Sequence, residues 1–241
     1  MDKAIVINNL SKKYKNNRGI EDINLEIDKG EIFGFLGPNG AGKTTAMKIM
    51  TGLMKADKGD VRISGFSITH EYEKAMSNVG CIIENVTPYP YLTAYENMKL
   101  CSRFYPKVNN SRIDECLELT GILKFKNEKI KNFSLGMKQR IGIAMAILSD
   151  PAILILDEPL NGLDVTGMVE MRNLILALSA QNKTTFFISS HLIHDIELTC
   201  TKIGILYDGR LLGIDSTQNI LKNYSTLENY YVSEVDLNAG S

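Results

Sequence analysis

Residues 37–44 combine glycines with a lysine and a hydroxyl side chain in the spacing G-x-x-x-x-G-K-T. Glycines let backbone amides turn toward an anion, because no Cβ obstructs the turn. The amides, the start of a following helix and Lys43 together predict a cradle for the β- and γ-phosphates of a nucleoside triphosphate. The Thr44 hydroxyl is predicted to be a ligand of Mg²⁺. The predicted nucleotide contacts are Gly37, Pro38, Asn39, Gly40, Ala41, Gly42, Lys43, Thr44 and Thr45.

Two acids follow a short apolar run, Ile-Leu-Ile-Leu, that predicts a buried strand at 152–156. The carboxyl ends of parallel strands are where ligands bind in α/β folds. Asp157 is therefore predicted to hold Mg²⁺ beside Thr44, either as a direct ligand or by holding one of the metal's ligands. Glu158 is predicted to act as general base or to position the attacking water. Two acids at the start of an ordinary loop are the alternative interpretation.

Ser134 precedes an apolar segment and predicts the N-cap of a helix over 135–148. A capping box would place Glu or Gln three residues later, but this chain has Met137. With Gly136 leaving the backbone open, the helix start is predicted to keep amides free for an anion. Taken alone, the segment also fits an ordinary capped helix.

The elements that must position these residues alternate between strands and helices. Strands are predicted at 4–7, 23–27, 61–64, 79–83, 152–156, 184–189, 203–207 and 210–214. Helices are predicted at 112–119, with Ser111 as its cap, and at 135–148, 166–180 and after Ser216. The pattern predicts an α/β fold with a mostly parallel sheet and a helical insertion at about 86–150. Residues after 224 show no clear period.

Composition limits the possible partners. The 241 residues carry a net charge of −1, which gives no electrostatic basis for binding nucleic acid. The cysteines lack C-x-x-C spacing, which fits a reducing cytosol, and Met1-Asp2-Lys3 shows no export signal. The apolar stretches are too short to span a bilayer, so we expect any membrane role to act through a partner.

The chain resembles the ATPase subunit of ATP-binding cassette (ABC) transporters over about residues 3–215. The segment Ser-Leu-Gly-Met-Lys-Gln-Arg at 134–140 is similar to a divergent form of that family's signature, usually Leu-Ser-Gly-Gly-Gln. The resemblance implies one domain over 1–241, with a P-loop NTPase (RecA-like) core, an antiparallel β-subdomain and an inserted helical subdomain. The implied parts are a core at 1–85 and 151–215, helices at 86–150, and a C-terminal helix and tail at 216–241.

The resemblance also implies roles for single residues. Tyr14 matches the aromatic residue that stacks on adenine, and His191 the histidine that contacts the γ-phosphate. Asp164 ends a loop at 161–164 that matches the family's dimer interface. In the family, two subunits face head to tail, so Ser134 and Gly136 of one chain are expected to hold the nucleotide of the other. The expected cofactors are ATP and Mg²⁺, and the expected partners are a second copy and a membrane permease, without nucleic acid, at the cytoplasmic face of the membrane.

Two departures from the family pattern indicate which subgroup of the family the chain resembles. Leu135 and Met137 replace the first glycine and the glutamine of the signature. Glu84 replaces the glutamine that contacts the metal and the permease, so it is expected to do one or both. These features resemble the bacitracin-resistance and lantibiotic-immunity subgroup, which removes peptide antibiotics from the membrane.

Two other functions remain open at this point. A soluble cassette protein acting on ribosomes or DNA would usually carry two cassettes or long coiled coils, and co-purification with a membrane protein would exclude it. A small-metabolite kinase would leave the signature and His191 without a role. Phosphate release without a phosphorylated acceptor would exclude the kinase.

Overall fold

The computed structural model describes residues 2–15, 18–84 and 87–239. Its strands are β1 (Lys3–Lys13), β2 (Gly19–Asp28), β3 (Ile32–Leu36), β4 (Lys58–Ile63), β5 (Phe66–Ser67), β6 (Val79–Ile82), β7 (Ile153–Asp157), β8 (Thr185–Ser190), β9 (Lys202–Tyr207) and β10 (Arg210–Ser216). Its α-helices are α1 (Lys43–Met50), α2 (Tyr72–Met76), α3 (Ala94–Ser102), α4 (Asn110–Leu119), α5 (Leu135–Ala146), α6 (Val165–Asn182), α7 (Ile193–Thr199), α8 (Thr217–Tyr224) and α9 (Leu227–Ala239).

The larger sheet has the order β10-β9-β3-β8-β7-β6, with parallel pairing from β9 through to β6 and β10 added antiparallel to β9. Every residue of β3, β7 and β8 is buried, as expected for central parallel strands covered on both faces. The carboxyl ends of these strands lie at one edge of the sheet. That edge carries the loop after β3, the acids at the end of β7 and the histidine that follows β8.

The smaller sheet has the order β2-β1-β4-β5, and its described pairs are antiparallel. Its buried aliphatic side chains share one core with Phe33, Phe35 and Phe187 of the larger sheet. The ring centroids of Phe33 and Phe35 lie 5.4 and 5.3 Å from that of Phe187. The predicted α/β fold, with a mostly parallel sheet and a separate antiparallel part, is confirmed.

The helices α3, α4 and α5 lie between β6 and β7 in the chain. The predicted cap Ser111 is wrong: Asn109 accepts the amide of Arg112, so α4 begins at Asn110. Helix α5 ends at Ala146, two residues before its predicted end. Its residues from Ile141 to Ala144 are all buried, so its second half lies inside the core and lacks the single apolar face of an amphipathic helix.

The C-terminal segment contains more structure than the sequence pattern predicts. Ser216 caps α8 as expected, but a second helix, α9, follows where no element was predicted. Its Tyr230 is buried, with its ring 5.0 Å from that of Tyr224. Within the described parts of the chain, no helix is both long and apolar enough to cross a membrane.

Candidate nucleotide site

The loop at 37–44 leaves β3 and turns directly into α1. A Cβ at Gly37 would lie 2.2 Å from the Leu206 carbonyl oxygen, and one at Gly42 would lie 2.5 Å from Ile20 Cγ2. Gly42 also has a φ of 108°, in the region that favours glycine. The close contacts at both positions, and this φ at Gly42, require glycine there. Helix α1 begins at Lys43 without a side-chain cap. Its first amides can therefore bind an external anion.

Lys43, Glu158 and His191 form a connected cluster at the carboxyl edge of the sheet. The Lys43 ammonium is 3.1 Å from one Glu158 carboxylate oxygen and donates to the Gly37 carbonyl at 2.8 Å. His191 Nδ1 is 2.9 Å from the other Glu158 oxygen. Lys43 is buried, so these acceptors compensate for its lost hydration. The structure thus brings together the three residues predicted to be catalytic.

Asp157 is held from two sides. Thr44 Oγ1 donates to one of its carboxylate oxygens at 2.9 Å, and Ser189 Oγ donates to the other at 2.5 Å. Ser189 also accepts the Glu158 amide at 3.0 Å. Because Glu158 has a φ of 49°, in the left-handed region, this bond holds a backbone conformation that non-glycine residues seldom adopt. Ser189 was not among the predicted site residues. It reaches the site because it pairs with Asp157 across β7 and β8.

Thr44 and Asp157 fit a magnesium ion by their chemistry. Both offer oxygen atoms, which are 2.9 Å apart. Mg²⁺ is usually held by few protein oxygens together with substrate phosphates and water. No group of three or more His, Cys, Asp or Glu with metal-binding geometry occurs among the described residues. The site is therefore suited to a metal that shares its coordination with a nucleotide.

Glu84 follows β6, the strand paired with β7, and contacts a different partner. Its exposed carboxylate accepts a hydrogen bond from Lys48 of α1 at 2.5 Å. This hydrogen bond raises the pKa of Lys48 above its usual value. In the part of the chain that the structure describes, no hydrogen bond or ion pair joins Glu84 to Thr44 or Asp157.

Tyr14 lies beside the first turn of α1. Its hydroxyl is 3.4 Å from Thr45 Oγ1 and donates to the Met54 sulfur at 3.1 Å. A cavity of about 360 Å³ lies between Tyr14 and Glu158. It is lined by residues predicted to bind the nucleotide, namely Tyr14, Asn39, Gly40, Gly42, Lys43, Thr44 and Thr45.

Ser134, Gly136 and Asp164 line a second, separate cavity of about 350 Å³. Ser134 Oγ accepts the Met137 amide at 3.2 Å, so one of the helix-start amides expected to be free is bonded within the chain. Asp164 caps α6 by accepting the Gly167 amide at 2.8 Å. A single chain therefore does not bring these three residues to the phosphate loop.

The first turn of α5 is joined to the loop at 161–164. A Cβ at Gly162 would lie 3.0 Å from the half-exposed Leu135 side chain. Gln139 Nε2 donates to the Asn161 carbonyl at 3.1 Å. Leu135, one of the two residues that depart from the signature, thus packs against the segment that follows Glu158.

Comparison with known proteins decides the family. The family model described as ABC transporter matches residues 20–161. The chain belongs to the ABC transporter family. An uncharacterized ABC transporter ATP-binding protein of Bacillus subtilis is 43% identical over 219 residues, 91% of this chain and 72% of its own length. A bacitracin transport ATP-binding protein of Enterococcus faecalis is 43% identical, with 88% and 69% covered. A lantibiotic transport ATP-binding protein of Streptococcus pyogenes is 38% identical, with 86% and 88% covered.

Solved structures show the same fold. An ATP-binding subunit of an ABC transporter has a TM-score of 0.83 and 26% identity, covering 96% of this chain and 99% of its own. A dimeric ATP-binding cassette in a post-hydrolysis state with ADP and phosphate has a TM-score of 0.78 and 26% identity, covering 88% and 98%. The predicted P-loop NTPase core is confirmed. The protein is the ATP-binding and ATP-hydrolysing subunit of an ABC transporter.

Proposed function

We propose that this ATPase subunit powers the export of peptide antibiotics of the bacitracin or lantibiotic type and so protects the cell that makes it. Two relatives named for bacitracin and lantibiotic transport support this cargo class. The chain's own support is Glu84 together with the Ser-Leu-Gly-Met signature, the features that mark this subgroup. The subunit works at the cytoplasmic face of the membrane, attached through permease subunits.

The observation that carries the catalytic part of the proposal is the contact of one carboxylate with two basic side chains. One Glu158 oxygen forms an ion pair with the Lys43 ammonium, and the other lies 2.9 Å from His191 Nδ1. In our proposal Lys43 binds the β- and γ-phosphates, and Glu158 takes the proton of the attacking water or orients it. His191 holds Glu158 in place and neutralises charge on the γ-phosphate. The chemistry needs no covalent intermediate on the protein.

Magnesium belongs to the same proposal, with Thr44 and Asp157 as its protein ligands. Bound Mg²⁺ would supply charge neutralisation on the phosphates. Ser189 holds the second Asp157 oxygen and therefore keeps the first one directed toward Thr44. The same serine fixes the Glu158 amide, so it orients both acids with one side chain.

The remaining predicted residues act across a dimer in this proposal. Ser134, Gly136 and Asp164 lie in a cavity separate from the phosphate loop, so they can reach a nucleotide only on a second copy. Tyr14, which lines the same cavity as Lys43 and Glu158, stacks on the adenine of its own chain. The dimeric architecture of a similar cassette supports the arrangement.

Antibiotic susceptibility tests the cargo. The subunit, expressed with its permease in a sensitive strain, is expected to raise the inhibitory concentration of bacitracin or a lantibiotic but not of an unrelated small drug. The matched strain carries Glu158→Gln, which keeps the assembly and removes hydrolysis. Equal protection by both strains, or protection only against the unrelated drug, would refute the proposed export of peptide antibiotics.

A further inference from the structure

One face of α1 meets the ends of two neighbouring strands. Thr44 and Lys48 are four residues apart, so their side chains lie on the same side of the helix. Thr44 Oγ1 donates to Asp157 at 2.9 Å, and Lys48 Nζ donates to Glu84 at 2.5 Å. Asp157 is the last residue of β7, and Glu84 lies two residues beyond the end of the neighbouring parallel strand β6. The helix therefore presents a hydroxyl to one carboxylate and a cation to the other.

The charges of these groups act on one another. The pKa of Lys48 is raised first by the hydrogen bond to Glu84, and the negative charge of Asp157 adds to the effect. Lys48 is thus within electrostatic reach of both strand-end carboxylates. Its side chain is 28% exposed and that of Glu84 is 60% exposed, so solvent partly screens the pair.

We propose that Lys48 is a positioning residue that compensates the charge of Glu84 at the nucleotide site. The inference rests on the proposed roles of Thr44 and Asp157. A glutamine at position 84, the family's usual residue, would add no charge. A glutamate adds a negative charge beside a site that must accept a polyanionic nucleotide. Lys48 cancels that charge and holds the carboxylate away from the residues proposed to bind the metal.

Calorimetric binding of a non-hydrolysable ATP analogue tests this inference without turnover. Four proteins are compared: the wild type, Lys48→Met, Glu84→Gln and the double variant. In EDTA, Lys48→Met is expected to weaken analogue binding by about three- to tenfold, because a bare carboxylate then repels the phosphates. Glu84→Gln is expected to strengthen binding. The double variant is expected to return to within about twofold of the wild type, because the two charges cancel.

Magnesium titration gives a second readout. Lys48→Met is expected to lower the Mg²⁺ concentration for half-maximal analogue binding, since added negative charge attracts the cation. Glu84→Gln is expected to raise it, and the double variant to restore it. Lys48→Arg keeps the positive charge and should match the wild type. The control Lys74→Met removes a helix lysine that pairs with Glu71 at 3.0 Å and should change neither quantity.

Each other outcome overturns a distinct claim. A double variant as weak as Lys48→Met would mean that Lys48 contacts the nucleotide directly, against the inference. Four identical proteins would mean that the pair is only a surface ion pair. Wild-type binding that ignores Mg²⁺ would refute the proposed metal role of Thr44 and Asp157 itself. Thermal unfolding midpoints within a few degrees of one another establish that the variants are folded.

Discussion

The phosphate-loop side and the signature side of this subunit are built in opposite ways. On the phosphate-loop side, Lys43, Glu158, His191, Asp157 and Thr44 contact one another or a shared serine, and buried strands hold them. On the signature side, Ser134 and Asp164 each cap their own helix by accepting one of its amides. On the first side the predicted residues meet within one chain. The second offers its residues outward, as expected if another copy completes it.

The largest expected effect comes from removing the base on the phosphate-loop side. Glu158→Gln is expected to lower ATP turnover by about a hundredfold or more, because the amide cannot take a proton. ATP binding should persist, since Lys43 and Thr44 remain. Phosphate release measures the rate, and light scattering should show ATP-loaded dimers. Full hydrolysis would exclude Glu158 as the base, and a monomer at saturating ATP would contradict completion by a second copy.

Removing the cation of the phosphate loop is expected to have the next largest effect. Lys43→Ala should weaken ATP binding by about tenfold to a hundredfold, the size of a lost charge-assisted hydrogen bond. Calorimetric titration measures the affinity, and circular dichroism checks the fold. Lys29→Ala serves as control, because Lys29 pairs with Asp2 at 2.9 Å on the surface. Unchanged affinity in Lys43→Ala would refute the assignment of the loop.

A third prediction separates capping from contact with the second copy. Ser134 and Ser216 each accept an N-terminal helix amide at 3.2 Å, so they form a matched pair. Replacement of either serine by alanine should cost about 0.5–2 kcal/mol of stability. Only Ser134→Ala should also reduce ATP-dependent dimerisation and turnover. Equal ATPase rates in the two variants would confine Ser134 to a capping role.

The smallest expected effect on hydrolysis concerns Glu84, at the edge of the phosphate-loop side. Glu84→Gln should leave basal ATP hydrolysis within a few-fold of the wild type, because Thr44 and Asp157 remain. Glu84→Ala should lower peptide-antibiotic resistance in cells by more than it lowers hydrolysis. ATPase rates and peptide-antibiotic resistance, measured side by side for both variants, distinguish a coupling role of Glu84 from a catalytic one. A loss as large as that of Glu158→Gln would instead place Glu84 in the catalytic metal site.

The sequence predicted the strands around the nucleotide site better than the side-chain contacts between them. The parallel strands were predictable because short continuous apolar runs bounded by turn signals are typical of buried strands. Ser189 and Lys48 were not predictable, because their importance depends on which strands and helix faces become neighbours. Asn109 and Ser111 are equally good caps by residue type, and only the folded backbone distinguishes them.

The C-terminal helix shows a different limit. Helix α9 has no one-sided apolar pattern, and its first turn is fixed from outside by Glu197, which accepts the Leu227 amide at 2.9 Å. Its buried Leu227 and Tyr230 pack against the core formed by the rest of the chain. Helix formation here therefore depends on tertiary contacts that a local sequence pattern does not contain.

The left-handed backbone at Glu158 has an evolutionary consequence. Glycine adopts that conformation without the steric cost that a side chain carries there. The local backbone therefore favours glycine at position 158, while the proposed chemistry requires a carboxylate. A lineage no longer exposed to antibiotic would lose the selection that keeps this acid, and the backbone would then favour its replacement by glycine. Position 158 is thus a place in a homologous sequence to look for the conversion of an active pump subunit into an inactive one.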